Sequence, residues 1–415
     1  MPHWLAAILV FSALTCALGL GVFWGVACYR VWITRRGLPT IADGAARPSP
    51  ADQAAPSSPA APPEVALVVP AHNEESHIER LIRSLRAQEG VNLRVVLALD
   101  RCTDRTLELA NGAIEGDERF TIVEIDHCPE GWAGKVHAIV RGVEETGVAA
   151  ADHLVFTDAD CWFEPRALVG ALRVADELDA GLLSVLTTLT FERWDERIVQ
   201  PAAGLELARQ YPLLRASDPD ARTRRAFANG QFMLFDRATY EAVGGHAAAR
   251  EALLEDIELA RLVKQHDRRA AVVISGGPVR CAMYADWPEM RRGWKRIFTE
   301  AATRKPDRLD KAARRLLLTG VVFPAGAAAA PLLSLLVPAG DALRWTAPAG
   351  AGLALLIWLA GLVSAYRLGN VPAACALLHP IGAWRTAGIL REAARDLRKG
   401  TPTTWGGREY ARPTR

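Results

Sequence analysis

The chain has 415 residues, half of them hydrophobic, and its 49 Lys and Arg against 47 Asp and Glu leave a net charge of +2. That balance, with a slightly positive mean hydropathy, excludes a disordered polyelectrolyte and argues against a nucleic-acid partner. Seven cysteines without a Cys-x-x-Cys predict reduced thiols and no zinc site.

Trp4 to Cys28 carries no charge over 25 positions, enough to cross the hydrocarbon of a bilayer. Its positive flank, Arg30, Arg35 and Arg36, follows the apolar run, which favours a retained anchor over a cleaved signal peptide. Pro39 to Pro63 has almost no large apolar residue and predicts an extended tether that leaves the next domain without a fixed orientation. Val65 to Val69 reads as a buried strand that breaks at Pro70, and Ile78, Leu81, Ile82 and Leu85 follow at helical spacing. Leu93 to Leu99 repeats the design with Asp100 at its end. Gly131 and Gly134 flank a helix start at Lys135 and permit backbone close to a ligand.

HLVFTDADC, His153 to Cys161, then delivers Asp158 and Asp160 at the end of a short strand. Alternation along an extended chain predicts that both carboxylates face one ligand, and hard oxygen donors suit Mg²⁺ or Mn²⁺. Leu253 to Gln265 predicts an amphipathic helix with Glu255 and Asp256 at its start. Taken singly, each acid has a plain alternative as a turn residue, a cap or a favourable charge at a helix N-terminus; Asp104 reads as a cap.

Phe191 to Pro212 predicts a helix kinked at Pro201, lying on the membrane or packed on the sheet. WPEMRRGWKRIF offers Arg291, Arg292 or Lys295 to a diphosphate and Trp294 to an acceptor, or else forms a basic helix on anionic lipid. Leu316 to Val337 and Trp345 to Tyr366 predict a membrane hairpin. Val371 to Trp384 is too short and contains His379 and Pro380, so it reads as a re-entrant or interfacial helix before a basic tail. The Lys and Arg flanks predict a multi-pass membrane protein whose catalytic domain is cytoplasmic.

In their fixed order, EVALVVPAHNEESH, LRVVLALDRCTDRT, GWAGKVHAIVRGVEE, HLVFTDADC and LLEDIELARLVKQ resemble glycosyltransferase family 2, over about 240 residues. FANGQFMLFDR, a terminal TWGGREY, the anchor and the hairpin are similar to its membrane-bound carotenoid- and hopanoid-associated members. The resemblance implies an α/β fold of GT-A type, a Rossmann-like mixed sheet binding a nucleotide sugar, plus transmembrane helices. It divides the chain into an anchor over 1–30, a tether over 31–63, a catalytic domain over 64–312, a hairpin over 313–368 and an interfacial helix with basic tail over 369–415.

It further implies that Pro70, Ala71, Asn73 and Glu74 line the nucleoside of a UDP-sugar, that Asp100 bonds the uracil and that Lys135 approaches the diphosphate. Asp158 would lie near the ribose and the metal, Asp160 would hold the metal, and Asp256 would act as general base. Asn229, Gly230 and Glu255, with Arg291, Arg292 and Trp294, fall on the acceptor or diphosphate side. Polysaccharide-extending members carry Gln-x-x-Arg-Trp, whereas here Gly293 precedes Trp294, so a single transfer is expected. The expected reaction moves a hexose with inversion onto a membrane lipid. A polyprenyl-phosphate sugar synthase and a non-catalytic scaffold are the alternatives, and Asp100, Asp158, Asp160 and Asp256 together argue against the scaffold.

Overall fold

The computed structural model describes residues 3–47, 61–145, 148, 151–218, 226–405 and 408–410. Ten short strands precede the last membrane-type helices: β1 (Glu64–Ala71), β2 (Asn92–Asp100), β3 (Phe120–Ile125), β4 (His153–Thr157), β5 (Cys161–Phe163), β6 (Leu182–Leu186), β7 (Thr188–Leu189), β8 (Phe232–Asp236), β9 (Ala270–Ile274) and β10 (Val279–Cys281). Seven of them form one mixed sheet in the order β3-β2-β1-β4-β8-β6-β9, with β8 antiparallel to both of its neighbours. β1 shows why the order centres there. Its Val65, Leu67 and Val69 enter one apolar layer and its Ala66 and Val68 the other, so the strand is buried on both faces. This is the α/β GT-A layout, and it brings the ends of β1, β2 and β4 to one edge.

The first helix, α1 (His3–Gly37), is followed by α2 (Ile41–Ala46), and the predicted tether is corrected there. Thr40 and Asp43 cap α2 reciprocally, Ile41 is fully buried, and Ala42 N–H donates to Ser275 O. The link therefore docks on the catalytic domain through residues 40–46, while residues 48–60 of the predicted tether lie outside the described ones. The sheet is covered by α3 (Ile78–Arg86), which buries the four predicted apolar residues, by α4 (Thr106–Ile114) and α5 (Gly134–Val143), and by α6 (Ala167–Glu177), on which α2 rests. Gly170 makes that rest possible, since a Cβ there would lie 2.7 Å from Ile41 O.

Beneath the sheet lies a helical layer. It starts with α7 (Trp194–Gln210), whose Pro201 is accommodated within a buried stretch. Asp195, Glu196, Gln200 and Glu206 of α7 are buried, so this helix is packed into the protein along that face, while Trp194, Arg197 and Ala208 are exposed. After α8 (Glu255–Gln265) come α9 (Trp287–Ala301) and α10 (Pro306–Leu317), which runs through a π-helical stretch, Leu318–Val322, into α11 (Phe323–Ser334). α12 (Leu343–Leu368) completes, among the described residues, three helices long and apolar enough to cross a membrane, His3–Gly37, Pro306–Ser334 and Leu343–Leu368.

The last long helix, α13 (His379–Lys399), is amphipathic. Ala383, Ala387, Leu390, Ala394 and Leu397 pack with Leu309 and Ala313 of α10 and with Met290, Trp294 and Phe298 of α9. In the terminal TWGGREY, Gly406 and Gly407 lie outside the described residues.

Candidate active site

Two loops at the sheet edge are stitched together by their own backbone. After β1, Pro70 and Ala71 end the strand and Asn73 takes a left-handed φ of 57°. Its Oδ1 accepts the Thr103 N–H at 2.8 Å, while Glu74 N–H donates to Thr106 Oγ1 at 2.8 Å and Glu75 N–H to Asp104 Oδ2 at 3.1 Å. His72 Nδ1 donates to Asp100 O at 2.6 Å, so His72 is a satisfied loop residue with a fixed tautomer. Asp100 itself is buried and gripped by the Arg101 guanidinium at 2.8 and 2.6 Å. The N-terminus of α5 closes against this pair: a Cβ at Gly134 would lie 3.0 Å from Asp100 Oδ2 and 3.1 Å from Arg101 Nη2.

The Asp-x-Asp segment differs from the predicted extended strand. β4 ends at Thr157 and a turn follows, closed by Cys161 N–H to Asp158 O at 3.3 Å, with Ala159 buried between the acids. The two carboxylates nevertheless share one electrostatic environment. Burial, with the Asp158 charge beside it, pushes Asp160 up to about 6. Burial, then Asp160 and Asp158, push Glu74 up to about 8, which places Glu74 with the acidic pair and not only along the nucleoside loop. Crowded carboxylates of raised pKa are the donor set that a hard divalent cation relieves.

Cys161 and Cys281 stand behind Asp160, paired across β5 and β10, with all three donor atoms within 4.8 Å of one another. Burial raises Cys161 to about 11 and Cys281 well above the ordinary thiol, so both remain protonated. The crowded carboxylates beside them offer hard oxygen donors that fit Mg²⁺ or Mn²⁺.

Lys135 joins this acidic pair to the next. Its Nζ lies 2.7 Å from Asp158 Oδ1 and 2.7 Å from Glu255 Oε1. Burial opposes the charge, but the two carboxylates outweigh it and hold Lys135 above the usual lysine range. Lys135 in turn helps keep Glu255 ionised despite its burial. Asp256, the neighbouring acid, is oriented by two backbone donors: Gly230 N–H to Oδ2 at 2.8 Å and Ile257 N–H to Oδ1 at 2.7 Å. Burial and the adjacent Glu255 charge push Asp256 up to about 7. A carboxyl poised there can take a proton near neutral pH.

Gly230 sits at the centre of this knot. A Cβ would meet Lys135 Nζ at 3.0 Å, Glu255 Oε1 at 3.1 Å and Asp256 Oδ2 at 3.4 Å. Asn229, by contrast, turns inward: its Nδ2 donates to Val185 O and to Gln231 Oε1, at 3.1 and 3.0 Å, so it fixes the loop and does not face an acceptor. Gln231 was not singled out by the sequence, although it receives bonds from Thr157 and Cys161 that tie the metal turn to β8.

Of the three residues on α9, Trp294 is corrected and Arg291 is engaged elsewhere. Trp294 is 3% exposed inside the helical core and is unavailable for stacking on a substrate. Arg291 pairs with Glu392 at 2.6 Å, and Arg292 is exposed to solvent. Gly293 has a physical reason: the Tyr284 ring fills the space that a side chain would need, so the arginine of the processive motif has no room there. Arg296 donates to Leu253 O at 3.2 Å and so braces the loop that leads into α8.

Residues 62–281 match the family described as "Glycosyltransferase like family 2". A 4,4'-diaponeurosporenoate glycosyltransferase of Staphylococcus aureus strain bovine RF122 is 28% identical over 247 residues, 58% of this chain and 62% of that protein; the enzyme of strain MRSA252 is 29% identical over the same lengths. The chain thus spans less than two thirds of the length of these relatives. Among solved structures, a Pyrobaculum calidifontis mannosyltransferase in complex with GDP-Man and Mn²⁺ superimposes with a TM-score of 0.46 at 20% identity, covering 92% of this chain and 98% of that one. Residues 1–349 of S. aureus TarS in complex with UDP-GlcNAc give 0.40 at 13% identity, over 84% and 96%. With the family match covering more than half of its residues, the chain belongs to glycosyltransferase family 2.

Proposed function

We propose that the protein is a membrane-embedded hexosyltransferase that moves one sugar, with inversion, from a UDP-sugar to an isoprenoid lipid such as a carotenoid or hopanoid at the cytosolic face. The observation that carries this reading is Asp256, oriented by two backbone N–H groups, poised near neutral pH and linked through Glu255 and Lys135 to Asp158. Asp256 takes the proton of an acceptor hydroxyl, whose oxygen attacks the anomeric carbon as the bond to the diphosphate breaks on the opposite side. Asn73, Glu74 and Asp100 hold the nucleoside at the stitched loop edge, and Lys135 offsets charge between donor and acceptor sides. Asp158 and Asp160 would hold Mg²⁺ or Mn²⁺, which neutralises charge developing on a departing diphosphate.

Two facts support a lipid acceptor: the three apolar helices, and relatives named for 4,4'-diaponeurosporenoate. The test is transfer by the purified full-length protein in lipid nanodiscs, offered a panel of UDP-sugars with long isoprenoid alcohols and acids and read by mass spectrometry. The expected product carries a single hexose. A ladder of products, or equal rates on a short water-soluble acceptor, overturns the reading; transfer to a polyprenyl phosphate alone favours the sugar-synthase alternative. Reporters inserted within residues 48–60 and fused after Arg415 are expected in the cytoplasm, and an external C-terminus makes α13 part of a fourth crossing.

A further inference from the structure

The outward face of α13 has no role in the reaction proposed above, yet its side chains are ordered by polarity along one line. Leu377 and Leu378 are exposed just before it and Ile381 and Trp384 at its beginning, and Arg385, Gly388, Arg391 and Arg395 continue the same exposed stripe at helical spacing. The apolar end adjoins the membrane-type helices. His379 is hydrogen-bonded to Tyr366 of α12 at 3.0 Å, and its ring meets Trp24 of α1 edge-on at 5.6 Å. The stripe therefore runs from hydrocarbon toward the headgroup level, with a tryptophan at the change.

Along the basic half runs a groove. Two contiguous cavities of about 430 and 300 Å³ share Gly388, Arg391 and Arg395 in their walls. Arg385 adds a third cation, 5.2 Å from the Trp384 ring and 5.8 Å from the Trp287 ring. The nearby acids are engaged with other cations. Glu392 is bound by Arg291 and Lys295, Asp396 by Lys295, and Asp310, in the wall of the larger cavity, by Arg398 at 2.6 Å. Arg391 and Arg395 have no ion-pair partner among the described residues. An exposed pair of unpaired guanidiniums beside an apolar, aromatic ridge matches a ligand that is anionic at one end and greasy at the other.

We propose that this groove is a binding site for one anionic phospholipid, with its phosphate at Arg391 and Arg395, its headgroup flanked by Arg385, and its acyl chains along Trp384, Ile381 and Leu377. The site is independent of the sugar-transfer reading. Through Glu392, whose other face holds Arg291 and Lys295, it also fastens α9 to the membrane surface.

The test uses full-length protein in nanodiscs of phosphatidylcholine containing a minor share of phosphatidylglycerol, with retained lipids counted by native mass spectrometry. Wild-type protein is expected to keep one phosphatidylglycerol, and R391Q/R395Q to lose it by about tenfold or more. R391K/R395K is expected to keep most of it. Gly388→Leu fills the groove without changing charge and improves helix propensity, so it is expected to remove the lipid from a folded protein. R35Q/R36Q takes the same charge from the exposed end of α1 and is expected to leave retention unchanged. Equal loss in R35Q/R36Q, full retention in Gly388→Leu, or displacement by inorganic phosphate overturns a discrete phospholipid site.

Discussion

The edge of the sheet and the helical layer beneath it are held together by different kinds of contact. At the edge, Asp100, Asp158 and Asp160 lie at or beside strand ends, Lys135, Glu255 and Asp256 open helices, and the loops bond to one another backbone to side chain, as Asn73 does with Thr103. In the helical layer, partners lie about a hundred residues apart, as Lys295 and Glu392 do at 3.1 Å, and surface charge is spent on holding helices together. Local motifs therefore keep their meaning in the first region and lose it in the second.

The largest expected effect breaks the edge at its reacting end. Asp256→Asn keeps the size but can accept only one of the two backbone N–H groups, and it cannot take a proton, so kcat falls by roughly 10²- to 10⁴-fold with the KM for the donor nearly unchanged. Equal turnover would reduce Asp256 to a helix-terminal acid. With a carboxylate acceptor, already ionised at neutral pH, insensitivity would instead indict base catalysis and spare the site. Asp160→Asn is expected to abolish metal-dependent turnover, and in thermal scans Mn²⁺ is expected to raise the Tm of the wild-type protein but not of this variant.

A sharper probe is the pH profile. Asp256 works unprotonated and its carboxyl is pushed up to about 7, so kcat is expected to rise with pH through that value. Glu255→Gln removes the neighbouring negative charge while Lys135 stays paired with Asp158, and both changes favour the Asp256 carboxylate. The rising limb is then expected to move to lower pH. An unmoved limb would show that another group sets it.

What the sequence made legible follows the same division. β1, β2 and β4 and the helix of Ile78, Leu81, Ile82 and Leu85 could be placed by strand and helix periods, and Asp100, Lys135, Glu255 and Asp256 at the element ends those periods mark, while the turn that holds Asp158 and Asp160 was not foreseen and the roles of all six rest on the resemblance. Lys135 bridging two acids from different elements could not be foreseen, since only the sheet order brings α5 to α8. Nor could the burial of Trp294, which a basic helix pattern presents as free, or the docking of residues 40–46. The signal for that docking was present but faint: Ile41 alone among polar and small residues, behind a Thr-x-x-Asp cap. Ile41→Ala is expected to cost about 2–5 kcal/mol locally and to open the segment to protease, measured by limited proteolysis in detergent. Unchanged protection would return the segment to a free tether.

The smallest expected effect tests whether the helical layer really spends its charge on cohesion. Lys295 is about a third exposed and shared between Glu392 and Asp396, at 3.1 and 2.7 Å, so solvent screens much of its attraction. A double-mutant cycle of Lys295→Met and Glu392→Gln should give a coupling of roughly 0.5–1 kcal/mol that shrinks in high salt. Turnover should change little in either single variant, because neither side chain reaches the sheet edge. A large drop in kcat with no coupling would mean that α9 acts on the reaction directly, and the division between an edge that reacts and a layer that holds would fail at that helix.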